Sequence, residues 1–149
     1  MKLYKSSGEI FFYPKKYSNK AWAILNSEIG IVEYYQYWML KFYGVKLQKP
    51  KHGAHITCIR EEQIADEVYD TKWTKYQDKA IIFEYSNKIE TNGEHFWLPI
   101  ICEELYDIRE EMGLVRKSEF GLHLTIGRLT ENDAKWFTLN HFNKSKYGR

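Results

Sequence analysis

Hydrophobic and polar positions recur along the chain with two different periods, and each period predicts an element. Residues 9–13 (EIFFY) form a short apolar-rich run ended by Pro14, which reads as a strand stopped by a residue without an N–H. Over residues 28–43, Val32, Tyr35, Met39 and Phe42 recur at helical spacing. Ser27 is placed to cap the start of that helix and Gly44 to close its end. The runs 54–59 and 80–85 read as strands, and Asn92-Gly93 marks a hairpin turn into a further strand over 94–98. Leu105, Ile108 and Met112 set the apolar face of a second helix over 101–112, closed by Gly113. That places Glu103, Glu104, Glu110 and Glu111 on a solvated helix face rather than in a carboxylate site. A last strand covers 122–127. Strands interleaved with two helices, without linker or repeat, predict one α+β domain over 1–149 with antiparallel pairing.

Two of the strands carry the same pattern. Residues 54–59 (AHITCI) and 122–127 (LHLTIG) each hold His, an apolar residue and Thr inside an apolar run. Alternate side chains of a strand share a face. His55 therefore projects with Thr57, and His123 with Thr125, while Ile56, Cys58, Leu124 and Ile126 point to the core. If the two strands are neighbours, two imidazoles and two hydroxyls meet on one patch. Such a patch has the parts for phosphodiester cleavage. Histidine titrates near neutrality, so one ring can remove a proton from a nucleophile while the other protonates the departing oxygen. The threonine hydroxyls can donate to the non-bridging phosphate oxygens as charge builds there. His52, His55 and Cys58 are spaced by three, but odd offsets on a strand point to opposite faces, so no zinc site is expected.

His55-Ile56-Thr57 and His123-Leu124-Thr125, 68 positions apart in a small α+β chain, resemble the paired motifs of the 2H phosphoesterase superfamily. More narrowly, the segments 52–57 (HGAHIT) and 121–126 (GLHLTI), with the chain length, resemble the phage anti-CBASS phosphodiesterases. The resemblance implies a two-lobed fold, with antiparallel sheets around a central groove and flanking helices. It also implies metal-independent cleavage of 3′,5′ linkages in cyclic di- and trinucleotides, the alarm signals of bacterial antiviral defence. His55, Thr57, His123 and Thr125 would be the catalytic residues, with no cofactor. Two readings stand beside it: an RNA-processing 2H enzyme acting on 2′,3′-cyclic phosphates or 2′,5′ linkages, and a non-catalytic nucleotide sponge.

Composition narrows the partner. With 22 basic and 20 acidic residues the net charge is +2, which disfavours a protein that grips long nucleic acid through its phosphates. The chain is rich in amphipathic rings, 5 Trp and 12 Tyr, which suit stacking on the bases of a small ligand. Tyr13, Trp73 and Trp136 are the substrate-binding candidates, whereas Trp38 and Trp97 sit in apolar patterns and read as core. Cys58 and Cys102, each in an apolar run, read as reduced and buried. Neither a leader nor a membrane-spanning run is present in the sequence, so a cytosolic protein without an obligatory protein partner is expected.

Overall fold

A computed structural model describes residues 2–15 and 20–140 of the chain, with side chains as far as residue 137. In chain order the elements are β1 (Leu3–Phe12), β2 (Lys20–Ser27), α1 (Ile29–Tyr43), β3 (His55–Gln63), α2 (Asp66–Thr71), β4 (Ala80–Ser86), β5 (Glu90–Thr91), β6 (His95–Ile101), α3 (Glu103–Glu111), β7 (His123–Arg128) and α4 (Glu131–Asn140). The strands run antiparallel in the order β4-β1-β2-β3-β7-β6-β5. β4 also pairs with β6, so six strands close into a barrel and the architecture is α+β.

The seams of that barrel are unequal. β2 and β3 share seven register pairs, and β1 and β4 share seven more. By contrast, β3 meets β7 at the single pair Ile56↔Leu124, and β4 meets β6 at two. The sheet is therefore broad within β4-β1-β2-β3 and between β6 and β7, and narrow at the β3/β7 and β4/β6 seams and at the two-residue edge strand β5.

One face of the sheet is packed and the other is largely open. Ile10, Ala23, Leu25, Ile56, Leu124 and Ile126 are fully buried on the first. They belong to one core with Val32 and Met39 of α1 and Leu105 and Ile108 of α3. Cys58 and Cys102 are buried and unpaired, as their apolar runs predict, and burial pushes the Cys58 thiol up to about 12. Gly44 ends α1 at φ 69° with its N–H on the Leu40 carbonyl.

Several expectations are corrected. Ser27 does not cap α1: it is the last residue of β2, and its amide donates to the Ala54 carbonyl. Glu28 stands at the cap position without a side-chain bond. Phe42 lies in the periodic stripe of α1 but is exposed, its ring tilted at 44° against Trp38 with centroids 5.0 Å apart. β1 begins at Leu3 rather than residue 9, because pairing with β4 recruits its Ser- and Gly-containing half. Gly8 is required there. A Cβ would lie 2.2 Å from the Asn26 carbonyl oxygen, which is fixed by the β1–β2 ladder. Gly8→Ala is expected to cost about 1–3 kcal/mol through this overpacking, read as a lower Tm; an unchanged Tm would mean that the two strands separate freely.

Candidate active site

The pair Ile56↔Leu124 fixes the geometry of the site. Counting outward along the antiparallel ladder, Thr57 stands opposite His123 and His55 opposite Thr125. Ile56 and Leu124 are fully buried on the helix-packed face, so the four polar side chains share the opposite one, each half-buried. The two histidines are diagonal neighbours on one face, their backbones about 7–8 Å apart by ordinary sheet geometry.

Both strands then break the alternation in the same way. In β3, Ile24 pairs with Thr57 and Ala23 with Ile59, so Cys58 is an extra residue. In β7, Trp97 pairs with Thr125 and Phe96 with Gly127, so Ile126 is extra. Each bulge follows the threonine directly and shifts the parity of what comes after it. Arg60, paired with Trp22, and Arg128, paired with His95, are thereby turned onto the histidine face. β3 has a second irregularity at Glu61, whose φ of 46° is unusual for a residue with a side chain.

A buried arginine ties the two irregularities of β3 together. Arg109 of α3, fully buried, donates from Nη1 to the Cys58 carbonyl at 3.0 Å and to Glu62 Oε2 at 2.6 Å. Its Nη2 donates to Glu62 Oε1 at 2.7 Å, and its Nε to the Val115 carbonyl at 3.0 Å. Glu62 Oε2 also accepts the Arg60 amide N–H at 3.0 Å. Burial pushes the Glu62 carboxyl up, but these hydrogen bonds outweigh it and hold the group below its usual range. A cavity of about 160 Å³ opens beside the network, lined by Thr57, Arg60, Glu62, Phe120, Gly121 and His123.

The histidines differ in their surroundings. His55 Nδ1 lies 3.2 Å from the Gly53 carbonyl oxygen. A carbonyl only accepts, so Nδ1 carries the hydrogen and, in the neutral ring, Nε2 is left as the acceptor. Burial lowers the His55 pKa, the Gly53 contact opposes this, and the charges of His52 and Arg60 lower it further. His123 packs against the Trp97 ring, centroids 6.2 Å apart and planes 61° apart. Trp97 is buried, as its apolar pattern predicts, yet it belongs to the site: it pairs with Thr125, and its Nε1 donates to Glu90 Oε2 at 3.1 Å.

The aromatic candidates separate. Tyr13 is 37 % exposed, and its amide bonds to the Trp22 carbonyl, which sets it on the histidine face beside Trp22. Trp73 is not available to a ligand. It is 4 % exposed, packs edge-on against Phe12 and Tyr69, and donates from Nε1 to the Tyr13 carbonyl at 2.7 Å. The polar run around it is a turn from which this ring dips fully into the core, with Tyr76 partly buried against it. Trp136 is 46 % exposed on α4, but the adjacent Phe137 is buried against Tyr43 and Phe96, so α4 lies in the helix layer and Trp136 is not brought to the histidines. Cys58 points its thiol at the Leu105 carbonyl, away from His55, and among the described residues no three His, Cys, Asp or Glu side chains converge on a metal-sized site. The charged face of α3 is ion-paired as well as solvated, with Arg116 holding Glu103, Asp107 and Glu110.

Comparison with known proteins finds no match among family models, curated proteins or solved structures.

Proposed function

We propose that the chain is a phosphodiesterase that opens cyclic di- or trinucleotides by two-histidine acid–base catalysis. The observation that carries this reading is the Ile56↔Leu124 register, which sets two imidazoles and two hydroxyls on one open face of the sheet. His55 is the base: its lowered pKa keeps it neutral, and the Gly53 contact leaves Nε2 to accept. Nε2 takes the proton of a ribose 2′-OH, and the 2′-oxygen attacks the adjacent phosphorus. The 5′-oxygen leaves with a proton from His123, yielding a linear product that ends in a 2′,3′-cyclic phosphate. Thr57 and Thr125 donate to the non-bridging oxygens as phosphorus becomes five-coordinate.

The narrow β3/β7 and β4/β6 seams support a two-lobed reading, with β4-β1-β2-β3 and β7-β6-β5 on either side of a groove, as in 2H phosphoesterases. No described helix is long and apolar enough to cross a membrane, which fits an enzyme working on small ligands in the cytosol of an infected host. The test is incubation in EDTA with cyclic di- and trinucleotides, 2′,3′-cyclic mononucleotides and short RNA, with products resolved by mass. Cleavage of the cyclic oligonucleotides that persists under chelation is expected. Turnover restricted to linear RNA or to 2′,3′-cyclic phosphates would reassign the substrate, and tight binding without turnover would make the protein a sponge.

A further inference from the structure

We infer that Arg60 binds a second phosphate of the ligand, next to the one that is cleaved, and so selects substrates with at least two phosphates. This rests on the phosphodiesterase reading and extends it to the substrate's charge pattern. Three features of β3 converge on this side chain. The bulge at Cys58 turns Arg60 onto the histidine face, where regular alternation would have buried it among the helices. The irregularity at Glu61, with its positive φ, ends the strand's regular course immediately afterwards. Glu62 holds the Arg60 amide while gripping Arg109, so the backbone on both sides of Arg60 is anchored to a buried group. Local strain of this kind persists where the surrounding structure over-determines it, and bulges beside active sites commonly re-aim a side chain.

The guanidinium has no structural employment that would explain this anchoring. Among the described residues no carboxylate pairs with it; its recorded neighbour is the Trp22 ring, with the guanidinium carbon 5.9 Å from the centroid. A cation–π contact with the Trp22 ring engages one side of the guanidinium and leaves its N–H groups for an anion. Arg60 also lines the same cavity as Thr57 and His123.

Position decides which phosphate it meets. The cleaved phosphate lies between the His55/Thr125 and Thr57/His123 rows. Same-face residues are about 6.6 Å apart along a strand, so the Arg60 row is roughly 10 Å from that midpoint. The side chain leans further away, toward Trp22 on β2, because β2 flanks β3 on the side opposite β7. A guanidinium so placed contacts a neighbouring linkage rather than the reacting one.

The test measures binding in the His55→Ala background, where turnover is removed, by calorimetry with a cyclic dinucleotide and with a nucleoside 3′,5′-cyclic monophosphate. Adding Arg60→Gln is expected to weaken the dinucleotide about 10- to 100-fold, the range of a charged hydrogen bond, and to leave the mononucleotide unchanged. Arg60→Lys, which keeps the charge but loses the forked donor geometry, is expected to restore part of the loss. Circular dichroism and an unchanged Tm establish that the variants fold. Equal weakening of both probes would overturn the inference in favour of a contact to the cleaved phosphate. No weakening of either would overturn it while the phosphodiesterase reading stands. A folded parent that binds neither probe, with wild type that cleaves none of the cyclic nucleotides, would bring down the reading and the inference together.

Discussion

Replacing either histidine by alanine is expected to lower the rate of cyclic dinucleotide cleavage by about 10²–10⁴-fold, the usual worth of a positioned acid or base. The loss should fall on kcat, with binding retained, because each ring acts on a proton in flight rather than on the resting ligand. His55→Ala with His123→Ala should cost little more than either alone, since the two rings serve one step. The pH profile separates their roles. His55 must be neutral to accept a proton, and burial together with the positive charges of His52 and Arg60 lowers its pKa. Activity should therefore persist as pH falls past the ordinary histidine value of about 6.5, and be lost only below it. The ring facing His55 diagonally from β7 is His123, which delivers the proton that releases the 5′-oxygen. Arg60→Gln removes one of the charges that lower His55, so the acid limb of the variant should move up. An acid limb at or above 6.5 in the wild type, with no movement in Arg60→Gln, would make His55 the acid instead of the base.

Much of this site was legible in the sequence, because alternation is a local rule. His-x-Thr inside an apolar run needs only a strand to put both polar groups on one side, and β3 and β7 are strands. Their adjacency is non-local, and it came from the repetition of the motif rather than from any single residue. Arg60 and Arg128 were legible in identity but not in direction. Each lies three residues after its threonine, an odd offset that alternation sends to the core face. The bulges at Cys58 and Ile126 reverse that; their traces in the sequence are slight, two consecutive buried non-polar residues in each strand (Cys58-Ile59 and Ile126-Gly127) and a glycine inside β7. β2 was missed for a related reason: with both neighbours supplied by β1 and β3, its identity as a strand is a matter of pairing. Trp73 shows the opposite failure. Its polar neighbours point to an exposed ring, yet a turn lets one residue pack inward while those around it stay in water.

Arg109→Ala is expected to be the most damaging single substitution for the fold. It removes a fully buried guanidinium and leaves Glu62 beside the core without its partner, and breaking such a pair from one side costs about 3–5 kcal/mol. The Cys58 and Val115 carbonyls lose their donor in the same step. For a domain of this length the loss corresponds to a fall in Tm of roughly 10 °C or more. The sign of the pH dependence follows from Glu62, whose folded pKa is depressed. Its contribution is fully present above the unfolded carboxyl value of about 4.3 and is lost as pH falls through the lower folded value. The gap in Tm between wild type and Arg109→Ala should therefore be wide at neutral pH and shrink under acid. A gap that does not change with pH would mean that the packing of the Arg109 stem, not its ion pair, supplies the stability. The function should report the same network independently. Arg109 holds the Cys58 carbonyl, and Glu62 holds the Arg60 amide, so loosening them frees the bulges that aim Arg60. Glu62→Gln keeps a side chain of the same shape with less charge. At a temperature where it remains folded, it should weaken a cyclic dinucleotide more than a cyclic mononucleotide, in the manner of Arg60→Gln, while His55 and His123 continue to turn over.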